Sequence, residues 1–375
     1  MAGDNLLIRG ENLAALRRLG QTHAGAVRLI YIDPPYNTGS ADYLYADTMT
    51  REQWLAFMVE RLEAARPLLI DDAVIAIQCS FHQSAHLEVT LDNLDWLHKV
   101  MVFHVLVRHP GRALTADKQF NDVVEQILIY SPDPRYRMPR RERERDLSEY
   151  RWEVDITGPG TTRMLGGRPC HVYGPDEWSK VEVAAGTGTF RTHSVRGSLR
   201  EKNSSGRFWV AHLEPLELPA MSLIQVPDIG DDGLGHRFFH SPKKGNRNGS
   251  YFQGVPQSSS VTRLPYPNFL DYHAEFNRVA PEGGVSFRNG KKPEALLHQL
   301  IEMFTAPGEL VLDYHLGSGT TAAVALKTGR RFIGIEKEPF AETVTLPRLR
   351  AVVDGEQSGI SPRVGWHGGG DVTYL

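Results

Sequence analysis

Cysteine is scarce in this chain: Cys79 and Cys170 are the only two among 375 residues. Two thiols exclude a disulfide framework and a four-cysteine zinc site. The fifteen histidines show no metal-ligand spacing, so a metal-independent protein is expected. Long apolar runs are missing as well. Stretches such as Leu29-Ile30-Tyr31-Ile32 fall far short of the roughly 18 residues a membrane helix needs. No basic-then-apolar leader opens the sequence, so the expectation is a cytoplasmic chain with no membrane partner. There is no internal repeat, and neither sign of charge dominates: 42 Lys+Arg stand against 45 Asp+Glu, a net of −3. That balance hides an asymmetry. Residues 135–270 hold 20 basic and 15 acidic side chains, and the remainder 22 and 30. A basic middle between acidic flanks suits either contact with a polyanion through one segment or a solvated linker. What is present is ordinary for a globular chain: 41% apolar and 23% charged residues, in a length that suits one to three domains at roughly 150 residues each.

The first third alternates strand and helix. Leu6-Leu7-Ile8 and Val27 to Ile32 read as strands, separated by a helical stretch from Asn12 to Leu19. Thr50 and Gln53 form a capping box, after which Trp54, Met58 and Leu62 recur at helical spacing. Ala73 to Gln78, Val100 to Val107 and Val123 to Tyr130 read as further strands, with a helix over Gln83 to Leu94. The rhythm breaks at Ser131-Pro132-Asp133-Pro134, and in the mixed-charge run from Arg135 to Asp146 the six arginines interleaved with acids read as a solvated helix, with a binding patch as the alternative. From there to about 275 the chain is rich in Gly, Pro and Ser, with short apolar pieces. Alternation returns with a helix over Lys292 to Phe304, a strand at Leu310 to Leu312, a helix over Thr320 to Lys327 and a strand from Arg331 to Ile335. The expected architecture is one α/β, doubly wound domain over residues 1–134 and 276–375. A loop-rich insert with short strands, 135–275, interrupts it.

Two motifs carry chemistry. In Asp313-Tyr314-His315-Leu316-Gly317-Ser318-Gly319-Thr320-Thr321, an apolar strand runs through Gly-x-Gly straight into a helix. Glycines let the backbone approach a ligand, and the helix start offers free N–H groups. Glu336 ends the next strand, 19 residues after Gly317, where a carboxylate can take both ribose hydroxyls. With Ala322 the spacing also fits a dinucleotide fingerprint, so the loop indicates an adenosine-type cofactor without saying which. The second motif, Asp33-Pro34-Pro35-Tyr36-Asn37, follows a strand end. Two prolines fix the turn, so the Asp33 carboxylate and the Pro34 carbonyl form two acceptors suited to an amino group. Tyr36 adds a flat face for a planar base.

Together these elements resemble the DNA amino-methyltransferases that use S-adenosylmethionine. Asp33 to Tyr36 is similar to their catalytic motif and Asp313 to Thr321 to their cofactor loop. Lys292-Pro293 with Leu296 and Leu297 is similar to the Lys-Pro-x-x-Leu-Leu element before that loop. The order, catalytic motif first and cofactor loop last, is that of the β class. The segments 355–361 and 366–370 resemble modification subunits of type III restriction systems. The cofactor loop departs from the family's Asp-Pro-Phe at Tyr314 and His315, and Gly10-Glu11 stands where the family has Gly-Asp beside the adenine.

The resemblance implies a Rossmann-like methyltransferase sheet with an inserted target-recognition module. It implies Asp33, Pro34, Pro35 and Tyr36 as catalytic residues. S-adenosylmethionine would be bound by Glu11, Lys292, Pro293, Asp313, His315, Gly317, Ser318, Gly319, Thr320, Thr321 and Glu336. The implied substrate is an adenine N6 amine flipped out of double-stranded DNA, with cytosine N4 as the alternative. A nicotinamide-dependent oxidoreductase and a catalytically silent nucleic-acid binder are more remote readings. Implied partners are duplex DNA, a second copy of the chain and a restriction subunit. In the insert, His236-Arg237-Phe238-Phe239 to Arg247 combines cations and aromatics without acids, which suits phosphate contact with stacking nearby. Arg237, Lys243, Lys244 and Arg247 are therefore expected on DNA, together with Asn37. Pro169-Cys170 looks like the Pro-Cys pair of cytosine-C5 methyltransferases, but no Glu-Asn-Val element accompanies it, so Cys170 reads as structural.

Overall fold

The computed structural model describes residues 5–36, 49–111, 121–200, 203–246, 248–257, 261–287 and 290–375. The chain forms two compact units, Met1–Pro139 with Pro265–Leu375, and Arg140–Leu264. The second unit is shorter at both ends than the expected 135–275 insert, for a physical reason. Tyr136, Met138 and Tyr266 pack against the first unit's core, and Phe269–Asp271 adds a strand to its sheet.

The first unit is built on nine strands: β1 Leu6–Arg9, β2 Val27–Ile32, β3 Leu69–Cys79, β4 His98–Leu106, β5 Val124–Ser131, β6 Phe269–Asp271, β7 Leu310–Asp313, β8 Arg331–Glu336 and β9 Thr373–Tyr374. They are ordered β6-β4-β5-β3-β2-β7-β8-β1-β9. Every ladder is parallel except those of β5, which runs antiparallel to both β3 and β4. Parallel strands covered on both faces read as continuous apolar runs, and β2 shows why. Leu29 and Tyr31 point into one core, Ile30 and Ile32 into the other.

Six helices close those cores: α1 Asn12–Leu19, α2 Arg51–Ala65, α3 Phe81–Asp92, α4 Glu294–Phe304, α5 Thr320–Lys327 and α6 Leu346–Val353. The first three cover one face and the last three the other. α2 begins with the expected capping box, Thr50 accepting from the Gln53 amide and Gln53 from the Thr50 amide. It buries Trp54, Met58, Leu62 and Ala65 along one face, as the 3.6-residue period requires.

The second unit is more regular than its composition suggests. Six strands form an antiparallel sheet in the order Arg191–Ser194, Ser250–Gln253, His236–His240, Leu223–Pro227, Arg168–Tyr173 and Thr161–Leu165. Aromatic side chains fill both faces, Trp209, Phe239 and Tyr251 on one, Trp178, Phe238 and Phe252 on the other. Cys170 is buried on this sheet, as a structural thiol should be. The charged run expected as a solvated helix instead contains an exposed strand, Arg141–Glu144, paired with Val261–Leu264. Its alternating Arg and Glu satisfy a ladder whose side chains need no core. Among the described residues no helix is long and apolar enough to cross a membrane.

Candidate active site

The motif residues gather at one edge of the nine-stranded sheet. β2 ends at Ile32, immediately before Asp33, while β7 ends at Asp313 and β8 at Glu336. Because β2 pairs with β7 and β7 with β8, the acidic-proline turn and the glycine loop lie on neighbouring strands. β5 runs the other way, so its start, including Glu125, comes to the end of β3 at Gln78 and Cys79. Ligands of open α/β sheets sit at this carboxyl edge.

The turn is held from several sides. The Trp54 indole donates to the Pro35 carbonyl at 2.7 Å, tying the turn to α2. Among the described residues the Pro34 carbonyl accepts nothing from the protein. Tyr36 donates its hydroxyl to Asp33 Oδ1 at 2.7 Å, and Lys292 Nζ lies 3.0 Å from Asp33 Oδ2. The same ammonium stands 3.2 Å from Glu125 Oε2 and 3.0 Å from the Tyr36 oxygen. Gln78 donates to Glu125 Oε2 at 2.6 Å, and Tyr31 donates to Gln78 Oε1 at 2.6 Å, which fixes the amide's orientation. Burial, reinforced by the Glu125 charge, pushes the Asp33 carboxyl up to about 6 against the pull of Lys292. Burial alone would raise Glu125 too, but Lys292 and the Gln78 and Tyr36 hydrogen bonds bring it below the usual carboxylate range.

Lys292 precedes Pro293, the N-cap of α4, and lines the cavity beside the glycine loop, where its ammonium pairs with both Asp33 and Glu125. Glu125 and Gln78 were missed in the sequence. The available signal was Glu125 itself, an acid at the head of the apolar run Ile127-Leu128-Ile129.

The glycine loop is braced from behind. Gly319 is the N-cap of α5 with φ +84°, and a Cβ there would stand 3.0 Å from Thr345 Cγ2. Thr321 donates to Asp313 Oδ2 at 2.6 Å while the His315 amide donates to Oδ1 at 2.9 Å. Burial pushes the Asp313 carboxyl up to about 7. Arg348 of α6 donates to Thr320 Oγ1 at 2.7 Å and to Glu294 Oε1 at 2.8 Å. Glu294 also takes Lys327 at 2.7 Å, and Lys327 pairs with Glu356. The fully buried Glu294, Lys327 and Arg348 tie α4, α5 and α6 to the loop, another arrangement the sequence did not disclose. The amides of Ser318, Thr320 and Thr321 donate to nothing among the described residues.

A second cavity, sharing Pro35 and His315 with the first, is lined by Gly10, Glu11, Phe57, Ile335, Glu336 and Lys337 among others. Glu11 caps α1 through the Ala14 amide at 2.9 Å and pairs with Arg61 at 2.6 Å. Glu336 accepts the amides of Gly317 at 2.9 Å and Glu338 at 3.0 Å, so it shapes the loop as well as the cavity. His315 Nε2 is closed off from water and has no hydrogen-bond partner among the described residues.

In the second unit, Lys243 and Lys244 are exposed on a loop, but Arg237 is not available to a phosphate. It is 1% exposed and paired with the buried Asp232 at 3.0 Å. Phe238 and Phe239 are core residues and offer no stacking surface. The period of two that runs through this strand turns Arg237 inward, where Asp232 neutralises it. Asn37 and Arg247 lie outside the described residues.

A glycine loop and an acidic-proline turn on adjacent strand ends define an α/β chain with one composite ligand site. Residues 27–346 match the DNA methylase family, and the chain belongs to it. It is 33% identical to the probable type III restriction-modification enzyme HindVI Mod subunit of Haemophilus influenzae, over 99% of this chain and 53% of that protein. It is 25% identical to the StyLTI Mod subunit of Salmonella typhimurium, over 85% and 49%. The chain thus spans about half the length of these curated relatives. Among solved structures, the PvuII cytosine-N4-specific DNA methyltransferase aligns with a TM-score of 0.47 and 12% identity, covering 96% of this chain and 90% of that one.

Proposed function

We propose that this chain binds S-adenosylmethionine and transfers its methyl group to the N6 amine of an adenine flipped out of duplex DNA. The observation that carries this reading is the adjacency of two acceptors, the Asp33 carboxylate and the Pro34 carbonyl, to the glycine loop across the β2–β7 ladder.

The residues present fit the cofactor. The amides of Ser318, Thr320 and Thr321 suit its carboxylate. The Asp33 carboxylate in the first cavity suits its positive charge, and Glu336 in the second cavity suits ribose hydroxyls. When bound, S-adenosylmethionine supplies an electrophilic methyl on a cationic sulfur. The chain's own part is positioning. Asp33 and the Pro34 carbonyl accept the two amine hydrogens, which leaves the nitrogen lone pair directed away from them. Proline fixes both acceptors before substrate arrives, so little ordering entropy remains to be lost at the reacting centre. Tyr36, anchored through its hydroxyl, holds its ring steady for a planar base. Asp33 favours adenine because aspartate at the first motif position accompanies adenine in the resembling enzymes.

Digesting methylated DNA to nucleosides and weighing them tests the reading. N6-methyladenine is expected, and N4-methylcytosine in its place would overturn the base assignment. Asp33→Ala should abolish product and leave cofactor binding largely intact. Near-normal methylation by that variant would remove the catalytic assignment. The relatives named as Mod subunits suggest a restriction subunit as partner, and the type III resemblance a homodimer. Co-purification and light scattering test these.

A further inference from the structure

The largely buried set around Tyr36 has more hydrogen-bond contacts than protons to fill them. The Tyr36 oxygen lies 2.7 Å from Asp33 Oδ1, 2.9 Å from Glu125 Oε2 and 3.0 Å from Lys292 Nζ. Lysine can only donate, so it donates to the phenol oxygen. The phenol has one proton and can satisfy one carboxylate. The other short oxygen–oxygen contact is a hydrogen bond only when a carboxyl is itself protonated. The charges agree with that count. Asp33, Glu125 and Lys292 sum to −1 when all are ionised, so one added proton makes the set neutral, the favoured state of a buried group. Gln78, held by Tyr31, keeps Glu125 in place for the exchange.

We propose that Glu125 and Lys292 complete the reactive group, so that the proton shed by the methylated amine passes to Asp33 and is shared through Tyr36 with Glu125. This rests on the amino-methyl transfer reading above and adds to it the fate of the proton. The amine lone pair forms the new C–N bond, and the C–S pair stays on sulfur. One N–H bond then breaks, its electrons returning to nitrogen and its proton joining an Asp33 oxygen. The Tyr36 proton moves to Glu125 as the Asp33 proton moves to Tyr36. Lys292 stays an ammonium throughout and returns the set to its ionised form after the proton leaves to solvent. Glu125 and Lys292 reach Asp33 from β5 and from the start of α4. The other titratable or charged groups near it are Tyr31 on β2, Cys79 at the end of β3, Asp313 at the end of β7, and Arg108, Lys291 and His315, which line the same cavity. Burial holds the Tyr31 phenol and the Cys79 thiol well above neutrality, so neither competes for the proton.

The test uses two substitutions that move the proton affinity of Asp33 in opposite directions. Glu125→Gln removes a like charge and should lower it. Lys292→Met removes the cation and should raise it. Each shift should be on the order of one pH unit or more. The acid limb of the single-turnover rate should move down for the first variant and up for the second. Infrared titration of the protonated carboxyl band in the free protein should move the same way, without cofactor or DNA. Cooperative thermal unfolding should persist in either variant, which a general loss of structure would not allow. Shifts in one direction, or an unmoved carboxyl titration, overturn the proposal. If Lys292→Met does not fold, Tyr36→Phe decides, because it keeps all three charges and removes only the bridge. The two carboxyls should then titrate as separate groups, and an unchanged titration overturns the proposal. A wild-type chain that methylates no DNA defeats the functional reading alone, since the infrared titration still reports on the proton set.

Discussion

Replacing His315 by phenylalanine should make the protein more resistant to acid, and the size of the effect follows from where the imidazole sits. Among the described residues Nε2 has no partner, the Phe57 ring lies 5.9 Å away between centroids, and the cations Arg61 and Lys337 are near. Burial first, and those two charges next, depress the imidazole to about 3 from its usual 6.5. The folded state therefore stays neutral where the unfolded chain takes up a proton. Stability tied to His315 is intact above 6.5 and is lost progressively as pH falls toward 3. One unit corresponds to about 1.4 kcal/mol, so the full effect at about pH 5 is roughly 2 kcal/mol. Part of the residue still reaches water, which reduces the expected value to about 1–2 kcal/mol. Phenylalanine keeps a ring against Phe57 and cannot titrate. Urea unfolding of both chains at about pH 7.5 and about pH 5 isolates the effect, because every other titrating group is common to both and cancels. The stability gap should shift toward His315→Phe by that amount at the lower pH. The same gap at both values would show that His315 accepts a proton in the folded protein and that the site is wetter than described.

Glu336→Ala should weaken S-adenosylmethionine binding by about 1.5–3 kcal/mol, the usual worth of hydrogen bonds to a charged group, and unchanged affinity by calorimetry would remove the ribose role. Asp313 should cost the protein stability as pH rises from 3.8 to about 7, because its folded carboxyl keeps a proton that the unfolded one sheds. Asp313→Asn should therefore gain on the parent by up to about 4 kcal/mol across that window, and equal gaps at its two ends would contradict the burial argument. Replacing exposed Lys243 and Lys244 by alanine should lower the salt slope of DNA binding by about one per lost phosphate contact for every sequence alike, whereas an unchanged slope would make this stretch a solvated loop.

What could be read in the sequence was what local pattern decides. Apolar runs bounded by turns located the strands, the 3.6-residue period located the helices, and a proline pair after a strand located Asp33. Those features depend on neighbours within a few residues. The proton set around Tyr36 does not. Glu125 comes from an antiparallel strand inserted into a parallel sheet, and only that reversal brings its start to the carboxyl edge beside Gln78. The same ignorance of direction hides the partners of two cations: Lys292 is turned to Asp33, and Arg237, expected on DNA from the composition around it, to the buried Asp232. A motif says which backbone turn is present, but the partner of a long charged side chain is chosen by electrostatics among groups far away in the chain. The sequence does hold a usable trace of such partners. Glu125 heads an apolar strand, Glu294 opens an apolar helix and Lys327 closes one, and each is buried on an opposite charge. A lone charge in an otherwise apolar element costs too much to bury unpaired, so it implies a counter-charge elsewhere in the fold. At this sheet edge, the counter-charges are those that set the acidic-proline turn and the glycine loop.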